Sequence, residues 1–90
     1  MKLRRHKKFI NDLSNAKLAD AQFEKFIKYL NLLQNDQPLP EEALDHALIG
    51  DWADFREFHL GGDLLIIYKI NDAESEIVLS RIGTHSKLFG

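Results

Sequence analysis

Cysteine is absent from this chain, and no apolar run approaches the ~20 residues that a membrane span requires. The absence of cysteine excludes disulfides and thiolate metal sites, and it fits a reducing compartment. The sequence has no hydrophobic region of the kind found in signal peptides, so we expect a cytoplasmic protein. Its 90 residues predict a single domain over 1–90, with a small core that can suffice unaided.

Charge is distributed unevenly along the chain, although the net charge is only −2. Residues 1–28 hold eight Lys or Arg against three acids, a balance of +5, whereas residues 36–63 hold eight acids against one arginine, a balance of −7. A basic half can bind a polyanion or an acidic partner protein, but it can equally be an ordinary solvated helix surface. Charge alone leaves both interpretations open.

Helical spacing of apolar residues marks the N-terminal part of the chain. The pattern predicts a first helix over about 6–15, and Asp20 is the expected cap of a second helix. The predicted buried stripe of that second helix consists of Phe23, Phe26, Ile27, Leu30 and Leu33. Because proline cannot continue a helix, the segment 35–40 should end it. We therefore expect a helical hairpin.

From Trp52 onward the apolar pattern changes to a period of two, which is typical of strands. The segment 61–63, Gly-Gly-Asp, predicts a hairpin turn, and the apolar run 64–68 predicts the central strand. Residues 76–82 predict the last strand, and residues 41–50 predict a connection with one helical turn. Two helices followed by a meander indicate an α+β domain in which the helices cover one sheet face.

Chemically active side chains are concentrated in the last nine residues before Gly90. Gly83 should let the backbone turn where the last strand stops. His85 can exchange protons near neutral pH, Arg81 and Lys87 can hold phosphate oxygens, and Phe89 can stack on a base. This combination at a strand end predicts a site directed at RNA.

Five short stretches occur in a fixed order in the C-terminal half. They are DHALIG at 45–50, Trp52, FREFH at 55–59, LIIY at 65–68 and RIGTHSKLF at 81–89. In this order they resemble the YafQ branch of the RelE-like bacterial toxins, whereas the N-terminal half matches only in element order and basic character. The resemblance implies a RelE-like α+β fold: an N-terminal edge strand at 2–5 and a helical hairpin packed on a small antiparallel sheet.

The resemblance also implies a function. RelE-like toxins of this branch belong to type II toxin–antitoxin systems, and they are ribosome-dependent mRNA endonucleases that need no cofactor. The implied partners are the ribosome with its mRNA and a cognate antitoxin from the same operon. We expect a hetero-oligomer with the antitoxin, a monomeric free toxin and no membrane association. The alternative is a non-catalytic protein of the same fold that only pairs with an antitoxin.

RNA cleavage through the neighbouring 2′-hydroxyl needs a base, an acid and positive charge on the phosphorane-like transition state. By resemblance, His85 is the general acid, and either His46 or His59 is the base or a phosphate ligand. Glu57 and Asp63 occupy further family positions, and Glu57 stands where the family often has aspartate. These catalytic candidates are joined by three expected substrate-binding residues, Arg81, Lys87 and Phe89.

Several candidates also have purely structural interpretations. Asp63 could serve only the turn, and Arg56 is expected to be a structural cation on the helix-facing side of the sheet or at its edge. His6 is expected to be solvated and Trp52 to belong to the core. Three histidines with carboxylates could bind zinc, but their separations of 13 and 26 residues match no compact ligand motif, so no metal is expected.

Overall fold

The computed structural model describes every residue from Met1 to Gly90. Its helices are α1 (Lys7–Asn15), α2 (Asp20–Gln34) and α3 (His85–Phe89). Its strands are β1 (Lys2–Arg5), β2 (His46–Ala47), β3 (Arg56–Gly61), β4 (Leu64–Asn71) and β5 (Glu76–Thr84). The α+β class, the helical hairpin and the meander agree with the sequence-based prediction. None of the helices combines the length and apolar character needed to cross a membrane.

All five strands form one sheet in the order β1-β5-β4-β3-β2. The apolar run predicted as the central strand is β4, and it does lie at the centre of the sheet. The predicted antiparallel sheet is formed by β2 to β5, whereas the N-terminal edge strand β1 runs parallel to β5 and pairs Lys2 with Glu76. The helices α1 and α2 and the strands β2, β3 and β4 separate β1 from β5 in sequence, so no tight hairpin forces these two strands to be antiparallel.

The core lies between the helical hairpin and one face of the sheet. In α2 the buried residues are Phe26, Tyr29 and Leu33, whereas Phe23 and Ile27 are 53% and 52% exposed. The predicted stripe was therefore wrong for Phe23 and Ile27. Tyr29 takes the inward position because its hydroxyl donates to Glu42 Oε1 at 3.3 Å, which satisfies the polar end of a buried ring.

The starts of α1 and α2 differ from what was predicted for His6 and Asp20. His6 precedes α1 and accepts the Lys8 backbone N–H at its Nδ1, at 3.0 Å, so this histidine is a helix cap rather than a merely solvated residue. Ala19 precedes α2, and its backbone N–H donates to Gln22 Oε1. Asp20 is the first helical residue, where its charge complements the helix dipole without capping.

Glycines mark two different features of the sheet. Gly61 and Gly62 have φ values of 108° and 59°, and they form the predicted hairpin turn. The chain leaves the last strand at Thr84 and not at Gly83, which were together predicted as the turn, because β5 continues through Thr84 before α3 begins. A Cβ on Gly83 would lie 3.3 Å from Leu88 Cδ2, so glycine here allows α3 to pack closely on the strand.

Candidate active site

The face of the sheet opposite the helical core places several predicted site residues side by side. Glu57 pairs with Ile67, and Ile67 pairs with Arg81, which makes one row across three strands. In the next row on the same face, His59 lies two strands from Gly83, about 10 Å away at ordinary strand spacing. Strand register therefore brings residues from β3 and the end of β5 to one surface.

His46 and Glu57 form a direct contact at the edge of this surface. The two-residue strand β2 pairs His46 with Glu57, and His46 Nε2 lies 2.9 Å from Glu57 Oε1. His46 Nδ1 lies 2.6 Å from Leu44 O. Because a carbonyl and a carboxylate both accept hydrogen bonds, this geometry favours a hydrogen on each ring nitrogen of His46. His59 stacks on the same ring, with centroids 6.4 Å apart and planes 23° apart.

Glu57 is a buried carboxylate whose side chain is only 7% exposed. Its Oε1 contacts His46, and its Oε2 is buried with no hydrogen-bond partner. A charge removed from water needs a partner to offset its desolvation, and His46 is the partner that the fold supplies. Glu57, which stands where the family often has aspartate, therefore reaches His46 directly.

A chain of aromatic contacts connects α3 with the loop before β3. The ring centroids of His85 and Phe89 are 4.9 Å apart, those of Phe89 and Trp52 are 5.8 Å apart, and those of Trp52 and Phe55 are 5.2 Å apart. Trp52 is half-buried and lies outside the main core cluster, so its predicted core role was wrong. Phe89 joins Trp52 to His85, which is exposed.

Asp63 and Lys87 are exposed at the same end of the sheet as His85. Leu64 pairs with Thr84, so Asp63 and His85 are the next residues along the two strands. Lys87 lies on α3, whose start is fixed by donation from its backbone N–H to Thr84 Oγ1 at 3.2 Å. Asp63 therefore lies in the turn, at the same end of the sheet as the predicted general acid.

Arg81 is held by a residue that the sequence did not indicate. Asp12 on α1 accepts Arg81 Nε at 2.7 Å and Nη2 at 3.1 Å, and its Oδ2 also accepts the Ile82 backbone N–H. Burial raises the pKa of Asp12, but the bonds from Arg81 and Ile82 outweigh it and lower this pKa overall. The pKa of Arg81 is raised by its bond to Asp12. One signal could have identified Asp12, since it follows Phe9 by three residues on the buried side of α1.

Arg56 makes the structural contacts that its pattern predicted. Its Nε lies 3.3 Å from both Asp45 Oδ1 and the Tyr68 hydroxyl, which itself donates to Asp45 at 2.6 Å. Burial and the neighbouring Asp45 raise the pKa of Tyr68. These three side chains hold the segment before β2 against the sheet.

A cavity of about 250 Å³ opens beside the aromatic chain. Its lining residues are His6, Lys8, Trp52, Phe55, Ser80 and Arg81. None of them carries a carboxylate, so the cavity is basic and aromatic. Nowhere in the structure do three or more histidine or acidic side chains converge in a way that could hold a metal ion.

Comparison with known proteins agrees with this architecture. Residues 1–90 match the family described as a bacterial toxin of type II toxin–antitoxin system, YafQ. The putative toxin YafQ of Haemophilus influenzae is 36% identical over 92 residues, which cover 97% of this chain and 90% of the relative. The mRNA interferase toxin YafQ of Escherichia coli is 41% identical over 66 residues, which cover 71% of this chain and 70% of the relative.

Solved structures give the same result. YafQ in the DinJ–YafQ complex of Escherichia coli superposes with a TM-score of 0.81 at 31% identity, covering 99% of this chain and 98% of that one. A metal-bound toxin from Helicobacter pylori superposes with a TM-score of 0.83 at 37% identity, covering 98% of each chain.

The helical hairpin packed on one face of a five-stranded sheet is a RelE-like toxin fold, and the crystal structure of YafQ from Escherichia coli shares it. The chain belongs to the YafQ family of bacterial toxins of type II toxin–antitoxin systems. The family resemblance read from the C-terminal half is thereby confirmed.

Proposed function

We propose that this chain is an mRNA interferase: an endoribonuclease that cleaves mRNA on the ribosome by attack of the neighbouring 2′-hydroxyl, without a metal. The observation that carries the proposal is that His46 and His59 lie side by side at the sheet face on which Gly83 contacts α3, the helix that holds His85 and Phe89. Relatives named mRNA interferase toxins support the reaction class. The roles of individual residues follow from their contacts.

His59 is the general base in this proposal. Both ring nitrogens of His46 face hydrogen-bond acceptors within the protein, so His46 has no free lone pair with which to take a proton. His59 contacts His46 through its ring face, which leaves its nitrogens available to a 2′-hydroxyl. His46 then contributes positive charge next to the reacting phosphate, with Glu57 as its counter-ion.

His85 is the general acid that protonates the leaving 5′-oxygen. It is exposed at the start of α3, and Phe89 lies against its ring. Phe89 orients a base beside this histidine, and Asp63 lies on the adjoining turn. A proton-transfer group of this kind typically contributes a factor of roughly 10²–10⁴ to the rate.

Positive charge for the transition state comes from Arg81 and Lys87. Asp12 engages Arg81 through Nε and Nη2, which leaves Nη1 to face a phosphate oxygen. Lys87 adds a mobile ammonium on α3. Fixing the guanidinium before substrate arrives lowers the cost of organising charge during the reaction.

The partner that we propose for the free toxin is a cognate antitoxin. DinJ is bound to the related YafQ in a solved complex. In this chain, Phe23 and Ile27 are half exposed and lie one helical turn apart on α2, within the basic N-terminal part of the chain. An amphipathic segment of the antitoxin with acidic flanks would cover these apolar side chains. The assembly is then a hetero-oligomer in the cytoplasm.

The cleavage assay that tests this function uses mRNA with and without ribosomes and identifies the product ends. We expect ribosome-dependent cleavage that leaves a 2′,3′-cyclic phosphate or the 3′-phosphate formed from it. Because a metal-bound relative is known, the assay is repeated after the toxin has been treated with chelator and returned to intact ribosomes. A 3′-hydroxyl end would indicate a metal-activated water and overturn the mechanism. No cleavage in any arm would favour a protein that only pairs with its antitoxin.

A further inference from the structure

The cavity beside α1 is separate from the three histidines, yet it is connected to them. Phe89 contacts Trp52 on one side and His85 on the other, with ring centroids 5.8 Å and 4.9 Å apart. A group bound against Trp52 would therefore lie one aromatic ring away from the proposed general acid. At about 250 Å³ the cavity is smaller than the ~300–1,000 Å³ of sites for drug-sized ligands. This size suits a single nucleotide unit.

Cationic and hydrogen-bond-donating side chains line one side of the cavity. His6 Nδ1 accepts the Lys8 backbone N–H, so in the neutral ring the hydrogen is on Nε2, which can donate outward. Lys8 is exposed and free to move its ammonium. Arg81 adds a fixed guanidinium. The lining thus offers three hydrogen-bond-donating side chains and no carboxylate. A phosphate group is the ligand that matches this set.

An aromatic surface forms the other side. Trp52 is held between Phe55 and Phe89 by two edge-to-face ring contacts, so its indole is fixed in position. Lys69 Nζ lies 5.5 Å from the centroid of the Phe55 ring, which adds another cation nearby. A fixed aromatic ring can stack on any base, because every base has a π-face.

We infer that this cavity binds one nucleotide of the RNA strand, next to the nucleotide that reacts at His85, with its base on Trp52 and its phosphate held by Lys8 and His6. The inference rests on the proposed function for the identity of the strand. Contacts to this flanking nucleotide supply binding energy away from the cleaved bond, and they hold the reacting nucleotide in register.

Trp52 is the only tryptophan of the chain, so its fluorescence reports on this cavity directly. The probe is a trinucleotide whose 2′-hydroxyls are methylated, which therefore cannot be cleaved by 2′-hydroxyl attack. It is titrated into the full-length chain in the absence of ribosomes. We expect saturable quenching of the Trp52 emission.

Lys8→Gln is the diagnostic variant, because it removes the lining ammonium while the backbone bond to His6 remains. Its quenching curve should shift to severalfold higher trinucleotide concentration, and the slope of log affinity against log salt should become shallower by about 0.7. Lys7→Gln is the matched control, since Lys7 is exposed, adjacent and outside the cavity. It removes the same charge from α1 and should leave the curve close to that of the parent.

The outcomes separate this inference from the proposed function. If the parent cleaves mRNA on ribosomes but the trinucleotide does not quench Trp52, the function stands and the nucleotide site is wrong. If Lys8→Gln and Lys7→Gln weaken quenching equally, the cavity has no specific phosphate contact and the inference is overturned. If the trinucleotide quenches Trp52 specifically but the chain cleaves no mRNA, the nucleotide site stands and the proposed nuclease function is wrong.

Discussion

Asp12 and Arg81 are 69 residues apart in sequence, yet their side chains form a two-bond ion pair of 2.7 Å and 3.1 Å between α1 and β5. The same carboxylate accepts the Ile82 backbone N–H, on the part of β5 that continues beyond the end of β1. Asp12 thus takes the hydrogen-bonding position that an edge strand would otherwise fill. The pair joins the core to the proposed active site through Arg81.

Asp12→Asn should lower the free energy of unfolding by about 3 kcal/mol near neutral pH, because it leaves a partly buried guanidinium without its counter-ion. The pKa of Asp12 is lowered by folding, so its contribution is fully present above the usual value of 3.8 and is lost as pH falls through the lower folded value. Denaturant unfolding of both proteins should therefore give a constant difference above about pH 5 that narrows in stronger acid. Asp72→Asn, in an exposed turn, is the control.

Replacing the proposed general acid should separate chemistry from folding. His85→Gln should reduce mRNA cleavage by roughly 10²–10⁴-fold, because the leaving oxygen loses its proton donor. His85 is exposed, so the melting temperature and the affinities for ribosome and antitoxin should stay close to those of the parent. Ser86→Ala, one residue further along α3, is the control. Full activity in the His85 variant would show that another residue is the general acid.

The contacts of His46 predict a spectroscopic result. Nitrogen-15 NMR should find both ring nitrogens of His46 in hydrogen bonds, because each nitrogen faces an oxygen of the protein. In Glu57→Gln the buried charge that favours this state is gone, and cleavage should fall by about tenfold or more. His59 does not face the Leu44 carbonyl or the Glu57 carboxylate, so its signals in the same spectra are the internal reference. A ring nitrogen of His46 without a hydrogen bond in the parent would remove the reason for choosing His59 as the base.

The exposed apolar side chains of α2 predict where the antitoxin binds. The double change Phe23→Ser and Ile27→Ser should weaken binding of the antitoxin by tenfold or more, since each central apolar contact can contribute over 1 kcal/mol. The fold should be retained because both side chains are half exposed. Ile49→Ser, which replaces a side chain that is 89% exposed and distant in sequence, is the control. Calorimetry with the product of the adjacent small gene measures both affinities, and equal affinities for the two variants would rule out the α2 face.

The local sequence pattern was sufficient to predict the strands and the turn of the meander. The Gly61–Gly62 turn, the central position of β4 and the period of two in β3 follow from backbone preference and alternation of side chains, which act over a few residues. The same kind of reasoning failed for α2. There a tyrosine with a hydroxyl partner takes an inward position, and Phe23 and Ile27 remain outside. The helix period predicted an apolar face but not its exact orientation on the sheet.

The sequence by itself determined the α+β class, the element order and the YafQ-like C-terminal half, because these depend on local period and on residues close together in the chain. Only the tertiary structure decided which side chains meet. Asp12 with Arg81, His46 with Glu57, and Trp52 with Phe89 are contacts between separate elements. They depend on strand register, on the parallel docking of β1 and on the close packing of α3, and residue spacing specifies none of these.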